Sequence, residues 1–183
     1  MVDLTNPIDT FFVQLFSPFA PHSAIELTIS ILINFIYFYG FYLLYFFFKN
    51  KQKWRFLQFV ITIFVGMLLV FSLKYLIDRP RPYQTFHLET IILKEDPSFP
   101  SAHTFLSFLF YFFILRIQKM KKFQIPIALH LLILVPLGLM LTEVHYFTDV
   151  LVGAFIGYMI PIIISEKTVM KIHLKGFLGN LFK

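Results

Sequence analysis

Three short stretches of this chain combine the side chains that handle phosphate. Lys74-Tyr-Leu-Ile-Asp-Arg79-Pro-Arg81-Pro82 carries cations, Pro100-Ser101-Ala102-His103 a hydroxyl and an imidazole, and His145-Tyr-Phe-Thr-Asp149 a second imidazole with a carboxylate. All three abut hydrophobic runs, where ionisable groups are costly and therefore point to function. A phosphoester holds its charge on non-bridging oxygens, and phosphoryl transfer is helped chiefly by positioning and by cations aimed at those oxygens. Arg81 offers planar, bidentate recognition of such oxygens, and Lys74 a point charge on a flexible stem. Ser101 is expected just where a helix begins, so its hydroxyl and the nearby free N–H groups can meet an anion, with His103 beside it. His145 and Asp149 are four residues apart and share a helical face. A carboxylate bonded to one ring nitrogen fixes the tautomer and leaves the other nitrogen free to attack. One histidine as nucleophile and one as acid make a complete pair.

The elements that must position these groups are membrane spans. With 183 residues, 58% hydrophobic and 20% aromatic content, 14% charged residues and a mean hydropathy of +0.75, the chain is too apolar for a soluble domain. It reads as one all-α integral membrane domain over residues 1–183. The net charge of +6 comes from short basic clusters flanking apolar runs, which suits anionic lipid headgroups and argues against nucleic acid. Cysteine is absent, which excludes disulfides and thiolate chemistry. Met1 to Thr10 carry Asp3 and Asp9 and no Lys or Arg, so no cleavable signal peptide is expected.

Stretches able to cross a hydrocarbon core of roughly 30 Å run from about Ala24 to Phe48 and Trp54 to Ile77, followed by about Ala102 to Ile117, Ile125 to Val144 and Tyr146 to Ile164. Five transmembrane helices are therefore expected. Ile8 to Phe19 is too short to span and suits an interfacial helix. Lys49, Lys51, Lys53 and Arg55 follow span one, Arg116, Lys119, Lys121 and Lys122 follow span three, and Lys167, Lys171 and Lys175 follow span five. Cytoplasmic loops hold the excess of basic residues, so these segments are expected in the cytoplasm and every motif residue on the opposite side.

Lys74-x6-Arg81-Pro82, Pro100-Ser101-Ala102-His103 and His145-x3-Asp149 resemble the three signature motifs of the type 2 phosphatidic acid phosphatase superfamily, K-x6-R-P, P-S-G-H and S-R-x5-H-x3-D. The resemblance covers about Trp54 to Ile164. It implies a metal-independent lipid phosphatase in which His145 is transiently phosphorylated, Asp149 orients it and His103 protonates the leaving oxygen. Lys74, Arg81 and Ser101 would hold the phosphate, with no cofactor, no metal and no obligate protein partner. The implied substrates are lipid phosphates or diphosphates: undecaprenyl diphosphate, phosphatidylglycerophosphate, phosphatidic acid or the 1-phosphate of lipid A. The implied place is a bacterial inner membrane, with the site at its outer face. Two positions depart from the motifs. Ala102 replaces a glycine that approaches the phosphate, and Gly138-Leu139 stand where the Ser-Arg pair is expected, so one phosphate-binding arginine is missing. Arg79 is the expected substitute cation, and Lys94 is expected to matter far less.

Other readings stay beside these. Arg79-Pro-Arg81-Pro82 is also a stiff, extended exit from span two. His130 is expected to be a packing or hydrogen-bonded histidine, and His22, His87 and His173 surface residues. Gly153-x3-Gly157 fits close helix packing within the chain. A lipid phosphotransferase using the same site, and a non-catalytic lipid or anion transport protein, are the alternative functions.

Overall fold

The computed structural model describes residues 6–19 and 23–171; His22, His173 and Lys175 lie outside them. The described residues form helices and connecting loops, with no strand among them. The N-terminal helix α1 (Pro7–Phe16) starts on Asn6, whose side chain accepts from the Asp9 N–H, with Pro7 at the first turn, where its missing N–H is harmless. A short 3₁₀ turn, Ser17–Phe19, ends it.

Three stretches are long and apolar enough to cross a membrane: Ala24–Lys49, Lys53–Thr85 and Gln118–Leu141. The chain is a membrane protein. Its outer surface agrees, because Phe41, Phe64 and Leu76 are 69–81% exposed, as suits contact with lipid. The first stretch is broken at Phe35 into α2 (Ser23–Asn34) and α3 (Ile36–Lys49). Asn34 donates its side-chain amide to the Ser30 carbonyl at 2.8 Å, and the Phe35 N–H is shared between Ile31 and Leu32, so the helical ladder is disturbed here without a proline. The second stretch is α4 (Lys53–Ile77), closed by Asp78 in the left-handed region, and then α5 (Pro82–Thr85). In the third, α7 (Gln124–Ala128) and α8 (Val135–Leu141) flank a π-helical segment, Leu129–Leu134. There His130 Nε2 donates to the Leu32 carbonyl beside the break in the first stretch, at 3.0 Å.

Two shorter apolar helices, α6 (Ala102–Ile114) and α9 (Phe147–Ile163), pack against each other, with α6 at the centre. Nine residues of α6, from Thr104 to Ile114, are buried, and a helix apolar on all sides belongs inside a bundle. Gly153 and Gly157 let α9 approach it at backbone contact. A Cβ at Gly153 would lie 2.5 Å from the Ser101 carbonyl oxygen, and one at Gly157 2.3 Å from that of Phe105. The small-residue pair therefore serves packing within the chain. Gly157→Val is expected to force α6 from α9 and lower stability by about 1–3 kcal/mol, measured as a lower thermal midpoint in detergent. Gly40→Ala, which meets only the far end of the Phe110 ring, is expected to do less.

The helix directions alternate, so the ends gather by function. Arg55 at the start of α4 pairs with Glu166 beyond α9 at 3.4 Å, while the end of α4 and the starts of α6 and α9 meet at the other end. Backbone hydrogen bonds tie that second end together: Ser101 N–H donates to the Asp149 carbonyl at 3.0 Å, and Tyr83 N–H to Glu143 at 3.2 Å.

Candidate active site

At this end a cavity of ≈ 240 Å³ is lined by Lys74, Arg81, Lys94, Asp96, His103 and His145, with apolar walls that include Ile33, Met67, Phe71, Leu106 and Leu139. Its groups come from three stretches far apart in sequence.

Lys74 occupies the last turn of α4 and is 1% exposed. Its Nζ lies 2.9 Å from Asp96 Oδ2 and donates to the Pro97 carbonyl. Arg81 spreads its fork over the same loop: Nη2 donates to Asp96 Oδ1 at 2.8 Å, Nε to the Asp96 carbonyl at 3.0 Å and Nη1 to the Val144 carbonyl at 2.7 Å. The last bond joins the first motif to the residue before His145. Asp96 thus bridges both cations. Burial alone would raise its pKa, but Lys74 and Arg81 more than reverse that and hold the carboxyl below the usual range. A carboxylate clasped by two cations marks where a phosphate can be held, and nothing in the sequence motifs pointed to Asp96.

Ser101 starts α6, fully buried, its Oγ accepting from the Thr104 N–H at 3.3 Å and from Thr104 Oγ1 at 3.1 Å. The hydroxyl is engaged as a helix cap. Ala102 and His103 reach the cavity wall from this turn, and Ser101 does not. His103 follows, its Nε2 3.4 Å from both Tyr37 Oη and Asn34 Oδ1. Both partners flank the break at Phe35.

His145 precedes α9 and is 5% exposed. Its Nδ1 donates to Asp149 Oδ2 at 3.3 Å, which assigns the proton to Nδ1 and leaves Nε2 free. Burial pushes its pKa down to about 4; Asp149 opposes that, and Arg81 and Lys74 add to it. At neutral pH the ring is uncharged. Asp149 also accepts from the Tyr146 N–H at 2.9 Å, closing the first turn of α9 around itself.

Arg79 does not take the place expected for it. It is absent from the residues that line the cavity, and its terminal nitrogens are engaged on the far side of Asp149, at 2.8 Å from Asp149 Oδ1 and 2.6 Å from Asp9 Oδ2. A guanidinium held by two buried carboxylates is not available to a phosphate. The further cation on the cavity wall is Lys94, from the exposed loop before α6. Leu139 also lines the wall, so an apolar side chain stands where the third motif normally brings its arginine. Thr142 lines it as well, while Glu143, with φ 57°, does not.

Among the described residues no three His, Asp or Glu side chains form a group that could hold a metal ion.

The sequence profile of the PAP2 superfamily matches residues 55–172. No curated protein matches the chain. Among solved structures, LpxE from Aquifex aeolicus is 24% identical and superposes with a TM-score of 0.68, over 90% of this chain and 98% of that one. A PAP2-type phosphatidylglycerolphosphate phosphatase from Bacillus subtilis is 20% identical, with a TM-score of 0.51 over 88% of this chain and 77% of that one.

Proposed function

The chain belongs to the PAP2 superfamily, and we propose that it is a lipid phosphatase that hydrolyses its phosphate ester or anhydride through a phosphohistidine on His145, without a metal ion. The observation that carries this reading is the convergence of Lys74, Arg81, His103 and His145 on one cavity, with Asp149 behind His145. The substrate phosphate displaces the Asp96 carboxylate from Lys74 and Arg81, exchanging one anion for another. Nε2 of His145 attacks phosphorus in line with the leaving oxygen. As the P–N bond forms the P–O bond breaks, and His103, which takes up a proton as the anionic phosphate binds, gives it to the departing oxygen. Neutral His103 then takes a proton from water, whose oxygen attacks phosphorus and breaks the P–N bond. Inorganic phosphate leaves.

The cavity lies between apolar helices, which suits an amphiphile whose phosphate sits at the depth of the headgroups. In this reading five helices cross the membrane: the three long stretches and the two shorter apolar helices α6 and α9. The basic ends at Lys49 to Arg55 and Arg116 to Lys122 face the cytoplasm, and the cavity faces the outer side of a bacterial inner membrane. Lys94 is placed to meet a second phosphate, which favours lipid diphosphates among the substrates.

The test is phosphate release by purified protein in excess EDTA from undecaprenyl diphosphate, phosphatidylglycerophosphate, phosphatidic acid and lipid A 1-phosphate. At least one lipid is expected to release free phosphate at an undiminished rate. Activity that vanishes with chelation and returns with Mg²⁺ or Zn²⁺ would overturn the clamp assigned to Lys74 and Arg81. A phosphorylated lipid product in place of free phosphate would make the protein a transferase.

A further inference from the structure

The N-terminal helix lies outside residues 55–172, which carry the superfamily match, yet its Asp9 is fully buried against the third motif. Asp9 Oδ2 accepts from Arg79 Nη2 and from Thr148 Oγ1, both at 2.6 Å, and from Asn6 Nδ2 at 3.0 Å, while Oδ1 accepts from the Thr148 N–H at 2.9 Å. Arg79 Nη1 donates onward to Asp149 Oδ1 and to Thr148 Oγ1, both at 2.8 Å. The Tyr146 ring covers the guanidinium at 3.8 Å, and Phe12 stacks on Phe147 at 4.3 Å, which fixes α1 beside the start of α9. One guanidinium is therefore shared by two carboxylates, each at 0% exposure.

The charge count gives this sharing a consequence. Arg79 bound to Asp149 alone would neutralise it and weaken its support for a positive imidazole. Asp9 draws part of that cation away, so the buried group keeps one net negative charge behind His145. Asp9 also sits at the N-terminus of α9, where the helix dipole favours an anion.

We propose that Asp9, acting through Arg79, is a positioning residue of the reaction: it sets the orientation and effective charge of Asp149 behind the attacking histidine. This rests on the reading of His145 as nucleophile. When Nε2 of His145 bonds to phosphorus and the P–O bond breaks, the ring becomes cationic with its Nδ1 proton still in place, and the Asp149 charge stabilises it. The other charged or titratable groups facing His145 are Lys74 and Arg81 from the first motif and His103 from α6. None of them touches Asp9.

The experiment follows phosphorylation of His145 in the protein of residues 1–183, using radiolabelled undecaprenyl diphosphate, phosphatidic acid and phosphatidylglycerophosphate as donors, together with the pH profile of kcat/KM. Asp9→Asn removes a negative charge, so it is expected to slow phosphorylation about tenfold with KM nearly unchanged and to move the acid limb to lower pH. Adding Arg79→Gln to Asp9→Asn removes the unbalanced cation and is expected to return the limb toward its wild-type position, which a purely structural role would not do. Arg79→Lys keeps the charge but not the fork, so the rate falls with the limb unmoved. A wild-type phosphorylation rate and limb in Asp9→Asn overturns the proposal, and if that variant does not fold, a wild-type rate in Arg79→Lys does so. Absence of any phosphohistidine in the wild-type protein, with turnover intact, overturns the nucleophile itself and is read independently of the variants.

Discussion

His145→Ala is expected to drop phosphate release at least about 10⁴-fold, to the background of the assay, while the protein keeps its thermal midpoint. The variant removes the atom that forms the P–N bond, and no other free imidazole nitrogen in the site is backed by a carboxylate. Folding should survive, because the side chain makes one bond of 3.3 Å to Asp149, and Asp149 keeps its bonds from Arg79 and the Tyr146 N–H. The measurement is phosphate release in detergent micelles, with a search for the acid-labile phosphoprotein in parallel. Substantial turnover by His145→Ala would sink the covalent mechanism. The position of this histidine also sets a pH expectation. Its pKa of about 4 lies below the ordinary value, so the free enzyme holds it neutral down to mildly acidic pH, and the acid limb of kcat/KM lies toward pH 4.

His103→Ala is expected to reduce kcat by about 10²–10⁴-fold on a lipid phosphate monoester, the usual contribution of a positioned general acid. An alkoxide leaves poorly without a proton, whereas an aryl oxide leaves well without one. The loss should therefore shrink sharply on an aryl phosphate with a low leaving-group pKa. An equal loss on both substrates would mean that His103 holds the phosphate and does not protonate the leaving oxygen. Its contacts to Tyr37 and Asn34 at 3.4 Å suggest a related control: Asn34→Ala should lower kcat modestly by loosening the ring.

Much of the site was legible because its signals are local. Lys74 and Arg81 are separated by a fixed spacing across the end of one helix, and His145 and Asp149 by one helical turn, so a linear pattern specifies both pairs. Apolar runs and basic clusters told which ends of the helices must meet. The π-helical segment and the break at Phe35 were not legible, since Asn34 and His130 act there through partners elsewhere in the chain or through a local disturbance of an otherwise apolar helix.

Arg79 shows where local reasoning ends. It lies two residues from Arg81, which made it the natural spare cation for the cavity. Yet proline restricts the backbone, and Arg81 sits at φ −80°, ψ 157°, close to a polyproline path with about three residues per turn. Residues two apart on such a path point in different directions. Arg81 faces Asp96 and the cavity wall, while Arg79 faces Asp149 and Asp9. Asp9 itself was read as one polar residue of an interfacial helix. It lies in the first turn of α1, where an acidic residue is ordinary, so nothing local marked it as a partner of Arg79.

The sequence by itself determined that the protein is a helical membrane protein, that the residues of its three motifs share one end of the bundle, and which superfamily it resembles. These follow from composition, hydropathy and spacing, which act over a span or a turn. Only the tertiary structure decided that Asp96 lies between Lys74 and Arg81, that Lys94 reaches the cavity and Arg79 does not, and that Asp9 meets Thr148 across 139 residues. Those choices are made by the pairing of buried charges. Each charge must find a partner once water is excluded, and which partner it finds depends on the packing of helices that no local pattern encodes.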